Sequence, residues 1–184
     1  WARPEDTLDL SKLLNDHIAS VVTDNPKRFV GLGTVPMQNT KLAIQELERC
    51  VKELKFPGVQ IGTHVEGMNL DDPRLFPFFQ AAADLNACIF IHPWDVLGDD
   101  RMKKYWMPWL IGMPTESAVA AASLIFGRVL ERLPNLRIAF AHGGGAAPAL
   151  VFGAAPLRHK TRKQPFRGLL IAIAVLQALA IVAA

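Results

Sequence analysis

Two of the five histidines in this chain stand where imidazole chemistry is easiest to use. His92 closes the apolar run Ile89, Phe90, Ile91 within ACIFIHPWD, and His142 closes the similar LRIAFAHGGG. Each run is too short for a helix and rich in β-branched and aromatic side chains, which predicts a buried parallel strand. Pro93 stops the first of them, because proline donates nothing to a strand ladder. Both imidazoles thus fall at the carboxyl ends of strands, the edge where ligands bind in open and closed α/β folds. A neutral imidazole at such an edge serves as a zinc ligand or as an acid/base near neutral pH, or is simply bonded to a neighbouring carbonyl. The glycines after His142 add backbone N–H groups and room for a ligand to approach closely. Zinc takes three or four ligands, so two histidines alone do not complete a site.

The other candidates read as less chemical. His64, in the GTH turn, lies near the same rim and reads as a solvated loop residue. His17 falls on a helix and His159 in a basic tail, both at the surface. Asp95 either orients an imidazole as an acceptor or caps its own loop. A serine nucleophile is set aside: no G-x-S-x-G occurs, and Ser11, Ser20, Ser117 and Ser123 fall in predicted helices. Cys50 and Cys88 lack metal-type spacing and read as buried thiols of a reducing compartment, not a disulfide. Neither GLGTVP nor HGGG completes a glycine-rich phosphate fingerprint.

The elements that must position the histidines follow a strand–helix rhythm. A helix is predicted over 9–23, with Leu10, Leu13, Leu14, Ile18, Val21 and Val22 as its inward stripe. A strand over 29–35 follows, then a helix capped by Asn39 or Thr40 that turns Ala43, Leu47, Cys50, Val51 and Leu54 inward. Pro57-Gly58 turns into a strand over 59–62, and 63–70 is a loop. Asp72-Pro73 opens a helix with Leu75, Phe79, Ala82 and Ala83 inward, ahead of the strand at 87–92. The loop 93–114 carries Trp94, Tyr105, Trp106 and Trp109, and long ordered loops are usually functional. A helix capped by Thr115, with Val119, Ala122, Phe126, Val129 and Leu133 aligned, precedes the strand at 136–142. Repeats of roughly 25–50 residues predict parallel βα units, about half of an eight-unit barrel, with a doubly wound open sheet as the alternative.

At 184 residues, 51% apolar and 20% charged, the chain has enough apolar material for a core, which excludes global disorder. The net charge of +3 comes from Arg158, Lys160, Arg162, Lys163 and Arg167 and is no argument for nucleic acid. Residues 1–153 read as one α/β domain and 154–184 as a basic linker plus an apolar tail. That tail, Gly168–Ala184, reads as a C-terminal membrane anchor, an altered chain end, or a buried alanine-rich helix. No signal peptide opens the chain, and its first residue, Trp1, suggests a fragment.

The segments RFVGLGTVPMQ, ELERCVKELKFPGVQIGTHV, IFIHPWD, RMKKYWMPWLIGMPTE and IAFAHGGGA together carry a likeness that no one of them would. The chain resembles, from residue 1 to about 153, the cytosolic decarboxylases of the amidohydrolase superfamily that act on an aminocarboxymuconate semialdehyde in tryptophan (kynurenine) catabolism. The resemblance implies a partial (β/α)8 TIM barrel holding the middle strands only. It makes His92 a metal ligand for Zn2+, His142 the catalytic acid/base, and Trp106 and Trp109 substrate-binding. Zinc would activate a water whose proton an imidazole takes, and carbon dioxide would leave a small carboxylate substrate. Intact members are expected to be homodimers. The alternatives are a metal-dependent hydrolase of the same superfamily, or a non-catalytic truncated form anchored through Gly168–Ala184. The family's H-x-H pair and its late G-T-D aspartate have no counterpart here. One arginine of the family's substrate site would precede Trp1, and another would align near Gly153. One zinc ligand out of four predicts poor zinc binding and an inactive chain. The missing strands would leave two exposed parallel edges.

Overall fold

Alternation within the short apolar runs builds the sheet. In the computed structural model, which describes residues 2–146, the chain order is α1 (Pro4–Asp24), β1 (Gly33–Thr34), α2 (Thr40–Lys52), β2 (Gly58–Gly62), β3 (His64–Val65), β4 (Met68–Asn69), α3 (Phe76–Asp84), β5 (Cys88–His92), α4 (Met113–Phe126), α5 (Val129–Arg132) and β6 (Arg137–Phe140). The linker and tail at 154–184, His159 and the position near Gly153 lie outside the described residues. One four-stranded sheet runs β1-β2-β5-β6 with every pairing parallel, and Val59, Ile89 and Ile138 stand in one row across it. Val59, Ile61, Ile89, Ile91 and Ile138 are buried, in one core with Ala43 and Leu47 of α2, Phe78, Phe79 and Ala82 of α3, and Ala120 and Leu124 of α4. The alternate residues Gln60, Phe90, His92 and Arg137 point to the other, more open face. Among the described residues the helices cover one face, which fits a barrel segment rather than the doubly wound sheet, whose helices lie on both faces.

Several elements differ from the pattern-based expectation, each for a physical reason. The helix expected over 9–23 starts at Pro4 and buries Leu8, Ser11 and Asn15, leaving Leu10, Leu13, Leu14 and Val21 exposed. The cause is the free edge of β1. The Asn15 side chain accepts from Thr34 N–H at 2.8 Å and donates to Thr34 C=O at 2.9 Å, standing in for the next strand. The same amide donates to Glu46 Oε1 at 2.7 Å. Glu46 is fully buried and pairs with Arg49 at 2.8 Å, and Arg49 reaches Asp16 at the surface at 2.7 Å. Glu46 first, then Asp16, raises the Arg49 guanidinium above its usual range against its partial burial. The strand expected over 29–35 shrinks to Gly33–Thr34, with Phe29 and Val30 exposed. The loop 63–70 holds the β3–β4 hairpin, whose turn has positive φ at Glu66 and Gly67.

Asp72 does not open a helix directly: its carboxylate accepts from Arg74 N–H at 2.9 Å, and α3 begins at Phe76. It buries Phe78 as well as Phe79 and Ala82. Residues 108–112 of the long loop form a π-helical turn running straight into α4. Helix α4 is apolar nearly all round, so spacing could not choose its face. Ser117, Ala120, Ala121 and Leu124 face in, whereas Phe126 is exposed, and Arg128 in the left-handed region separates α5. Residues 108–126 are apolar and long enough to cross a membrane, yet Ala120 and Leu124 lie in the core.

Both cysteines are free. Burial, with Glu46 second, pushes the Cys50 thiol from near 9 up to about 12. A thiol raised in the folded state stabilises below the unfolded value and loses that contribution as pH climbs through the folded one. Stability is expected to decline between pH 9 and 12, and Cys50 to resist a disulfide reagent at pH 8 until denaturant is added. Labelling of native Cys50 at the rate of a free thiol would contradict this.

Candidate metal and catalytic centre

Adjacent parallel strands deliver the two leading histidines to one place. Ile91 of β5 lies opposite Phe140 of β6, so His92 and the residues after Phe140 meet at the same carboxyl edge. There the chain enters a 3₁₀ turn, Ala141–Gly144, with His142 at φ 54° and ψ 36° and Gly143 at φ 65°. A non-glycine residue in the left-handed region is uncommon and costs about 1 kcal/mol or more. With this backbone His142 faces His92: the Nε2 atoms are 3.2 Å apart and the rings lie edge to face, 5.0 Å between centroids.

The tautomers follow from the partners. His92 Nδ1 lies 3.0 Å from Pro93 C=O, and a carbonyl only accepts, so Nδ1 carries the proton. Its Nε2 lone pair then points at the site, as a ligating imidazole requires, and receives the Nε2–H of His142. Partial burial first, then the neighbouring His92, lowers the His142 pKa from its ordinary value and favours the neutral ring.

A cleft of about 630 Å³ opens along this edge, lined by His92, His64, Trp94, Gln60, Thr34 and Glu66 among others. His64 is half-buried rather than a solvated loop residue. It donates from Nε2 to the Asp95 backbone carbonyl at 3.0 Å, while its Nδ1 is buried with no hydrogen-bond partner. Asp95 therefore holds an imidazole through its main chain, with φ at 52°. Trp106 and Trp109 pack edge to face on each other, 5.1 Å between centroids, and are 72% and 58% exposed. Neither is among the described residues that line this cleft; Trp94 is. Trp94 was findable from its place two residues after His92 at a strand end. His17 is exposed on α1.

The donor set fits a divalent cation in part. His92 Nε2 offers its lone pair toward the site, whereas His142, carrying its proton on Nε2, faces it as a donor. No group of three His, Cys, Asp or Glu side chains able to hold a metal occurs among the described residues. The described residues offer one imidazole lone pair with a second imidazole beside it, and no complete shell.

Comparison with known proteins gives one consistent answer. The amidohydrolase family model matches residues 1–167. The 2-amino-3-carboxymuconate-6-semialdehyde decarboxylase of Dictyostelium discoideum is 60% identical over 148 residues, 80% of this chain and 41% of that protein. Among solved structures, the 5-carboxyvanillate decarboxylase of Sphingomonas paucimobilis superposes with a TM-score of 0.80 at 29% identity, covering 85% of this chain and 48% of that one. The dihydroxybenzoic acid decarboxylase of Polaromonas, determined with bound manganese and the inhibitor 2-nitroresorcinol, superposes with a TM-score of 0.74 at 28% identity, over 87% of this chain and 52% of its own. The chain spans about half the length of the relatives it matches. Its sheet and helices are part of a TIM barrel.

Proposed function

This chain belongs to the amidohydrolase family, and from that premise we propose that it carries part of the active centre of a metal-dependent decarboxylase. The observation that carries the reading is the His92–His142 pair, Nε2 to Nε2 at 3.2 Å on adjacent strand ends. The substrate proposed is a small unsaturated carboxylate, the aminocarboxymuconate semialdehyde named for the Dictyostelium relative. His92 would hold the cation through Nε2, and zinc is the proposed ion because imidazole nitrogen suits it. Such an ion supplies Lewis acidity, stabilising negative charge as it develops.

The chain's own residues supply proton handling and enclosure. Loss of carbon dioxide breaks a carbon–carbon bond and leaves its electron pair on the substrate carbon, which must then take a proton. His142 Nε2 is placed to hold and deliver that proton, and burial and the neighbouring His92 favour its neutral form. Trp94 walls the cleft beside His92, and Trp106 and Trp109 are proposed as substrate contacts from the same loop. The family's cross-subunit arrangement makes a homodimer the proposed assembly of the intact protein. The two free cysteines favour the cytosol.

With one ligand assigned, the 184-residue chain is expected to bind Zn2+ weakly and to turn nothing over. Calorimetric titration with Zn2+ and Mn2+, beside the absorbance of 2-amino-3-carboxymuconate 6-semialdehyde, tests this. Weak binding that disappears in His92→Ala supports the ligand assignment. Binding that survives His92→Ala refutes it, and tight stoichiometric zinc with turnover refutes the expected inactivity.

A further inference from the structure

Glu116 lies in the first turn of α4, only 5% exposed, on a helix otherwise made of small and apolar residues. Two donors from two other parts of the chain converge on its carboxylate. Leu97 N–H donates to Oε1 at 2.7 Å, and the buried Thr63 hydroxyl donates to Oε2 at 3.2 Å. Thr63 follows β2 and directly precedes His64, and Leu97 lies three residues beyond Trp94. One side chain therefore joins the end of β2, the loop after His92 and the start of α4. A carboxylate is strongly unfavourable in a buried place unless such partners satisfy it, so its presence asks for a reason beyond packing.

Two further contacts press the same loop down. His64 donates to the Asp95 carbonyl at 3.0 Å. Val96 and Met102 sit against Gly112, where an added Cβ would meet Val96 Cγ2 at 2.8 Å and Met102 Cε at 3.2 Å. The loop is thus tied at Asp95 and at Leu97 just beyond Trp94, and packed on itself where Val96 and Met102 meet Gly112.

We propose that Glu116 is a positioning residue, latching the loop 93–112 over the carboxyl edge of the sheet so that Trp94 closes the cleft beside His92. That this cleft receives a carboxylate substrate rests on the function proposed above; the latch itself does not. Glutamine at this position keeps both bonds, since its amide oxygen accepts from Leu97 and its NH₂ donates to the Thr63 hydroxyl. Alanine loses both.

The test compares the full 184-residue chain with Glu116→Ala, Glu116→Gln and Thr63→Val. One readout is hydrogen exchange at Leu97 and through 94–112; the other is affinity for 2,6-dihydroxybenzoate, used as the probe with Mn2+ present. Glu116→Ala is expected to speed exchange at Leu97 by roughly tenfold or more while β2 and β5 stay protected, as local opening without global unfolding requires. It should weaken the probe by a comparable factor, and Glu116→Gln should restore both readouts. Should Glu116→Ala fail to fold, Thr63→Val, which removes one of the two donors, is expected to give a smaller change in the same direction. Unchanged Leu97 exchange in the variant that folds overturns the latch. A loosened loop with unchanged probe affinity, or Glu116→Gln behaving as alanine does, overturns the positioning role. An incomplete metal shell does not require the unsubstituted chain to bind the probe; where it does not, Leu97 exchange and its rescue by Glu116→Gln decide the latch.

Discussion

Gly58→Ala is expected to separate β2 from β5 and to destabilise the fold by roughly 3 kcal/mol or more, in the range reserved for disrupted cores. Gly58 is buried and stands directly opposite Cys88 in the parallel register. A Cβ added there would run into the Cys88 carbonyl oxygen, with the Cys88 carbonyl carbon and nitrogen each at 2.7 Å. All three are main-chain atoms of the central strand that ends in His92. They cannot rotate away as a side-chain tip would, and Cys88 N–H is already committed to Pro57 C=O at 2.8 Å. The relief open to the sheet is to part the two strands, which also moves His92 relative to β2. Gly67→Ala is the control. Its φ is 76°, so alanine is strained there, but no atom lies within 4 Å of the new Cβ. The expected loss is about 1 kcal/mol, the usual backbone penalty. Urea midpoints measure both. Equal losses would show that main-chain conformation, and not close strand approach, sets the need for glycine at 58.

The two strand ends were legible because local signals agree there. A three-residue apolar run bounded by His92 and Pro93, and another bounded by His142 and its glycines, leave little choice of element or of edge. The pair's mutual distance was not legible, since it depends on β5 and β6 being neighbours and on the left-handed backbone of His142. Helix faces failed where packing is polar or undiscriminating. On α1 the side chain that chooses the face is Asn15, invisible to any count of apolar spacing, because its partner is the bare edge of β1. On α4 nearly every position is apolar, so Val119 and Ala122 looked as good as Ala120 and Leu124. Glu116 carries no mark of its own in the sequence; its partners are Thr63 and Leu97, 53 and 19 residues away. Trp106 and Trp109 are marked by the family resemblance, whereas the tryptophan lining the cleft beside His92 is Trp94.

Arg49→Met should destabilise more than removing the Glu46 and Arg49 charges together. Glu46 is fully buried, while Arg49 keeps about a fifth of its side chain in solvent. Arg49 holds Glu46 through Nε at 2.9 Å and Nη2 at 2.8 Å, and Asn15 adds a third donor at 2.7 Å. Methionine fills most of the volume and removes two of those three donors, leaving a buried carboxylate held by the Asn15 amide and a long Cys50 thiol contact at 3.9 Å. Breaking a buried ion pair from one side typically costs about 3–5 kcal/mol, whereas replacing both partners with apolar groups is often near neutral. The double variant Glu46→Met, Arg49→Met is therefore expected to recover part of the loss. Recovery should be incomplete, because Asn15 then keeps Thr34 as its backbone partner but loses the carboxylate. Urea unfolding of the two single variants and the double variant forms a closed cycle, and the coupling should exceed about 1 kcal/mol for groups in direct contact. Additive losses would mean that the carboxylate draws no net support from the guanidinium, leaving the Asn15 amide as the main tie between α1, the β1 edge and α2.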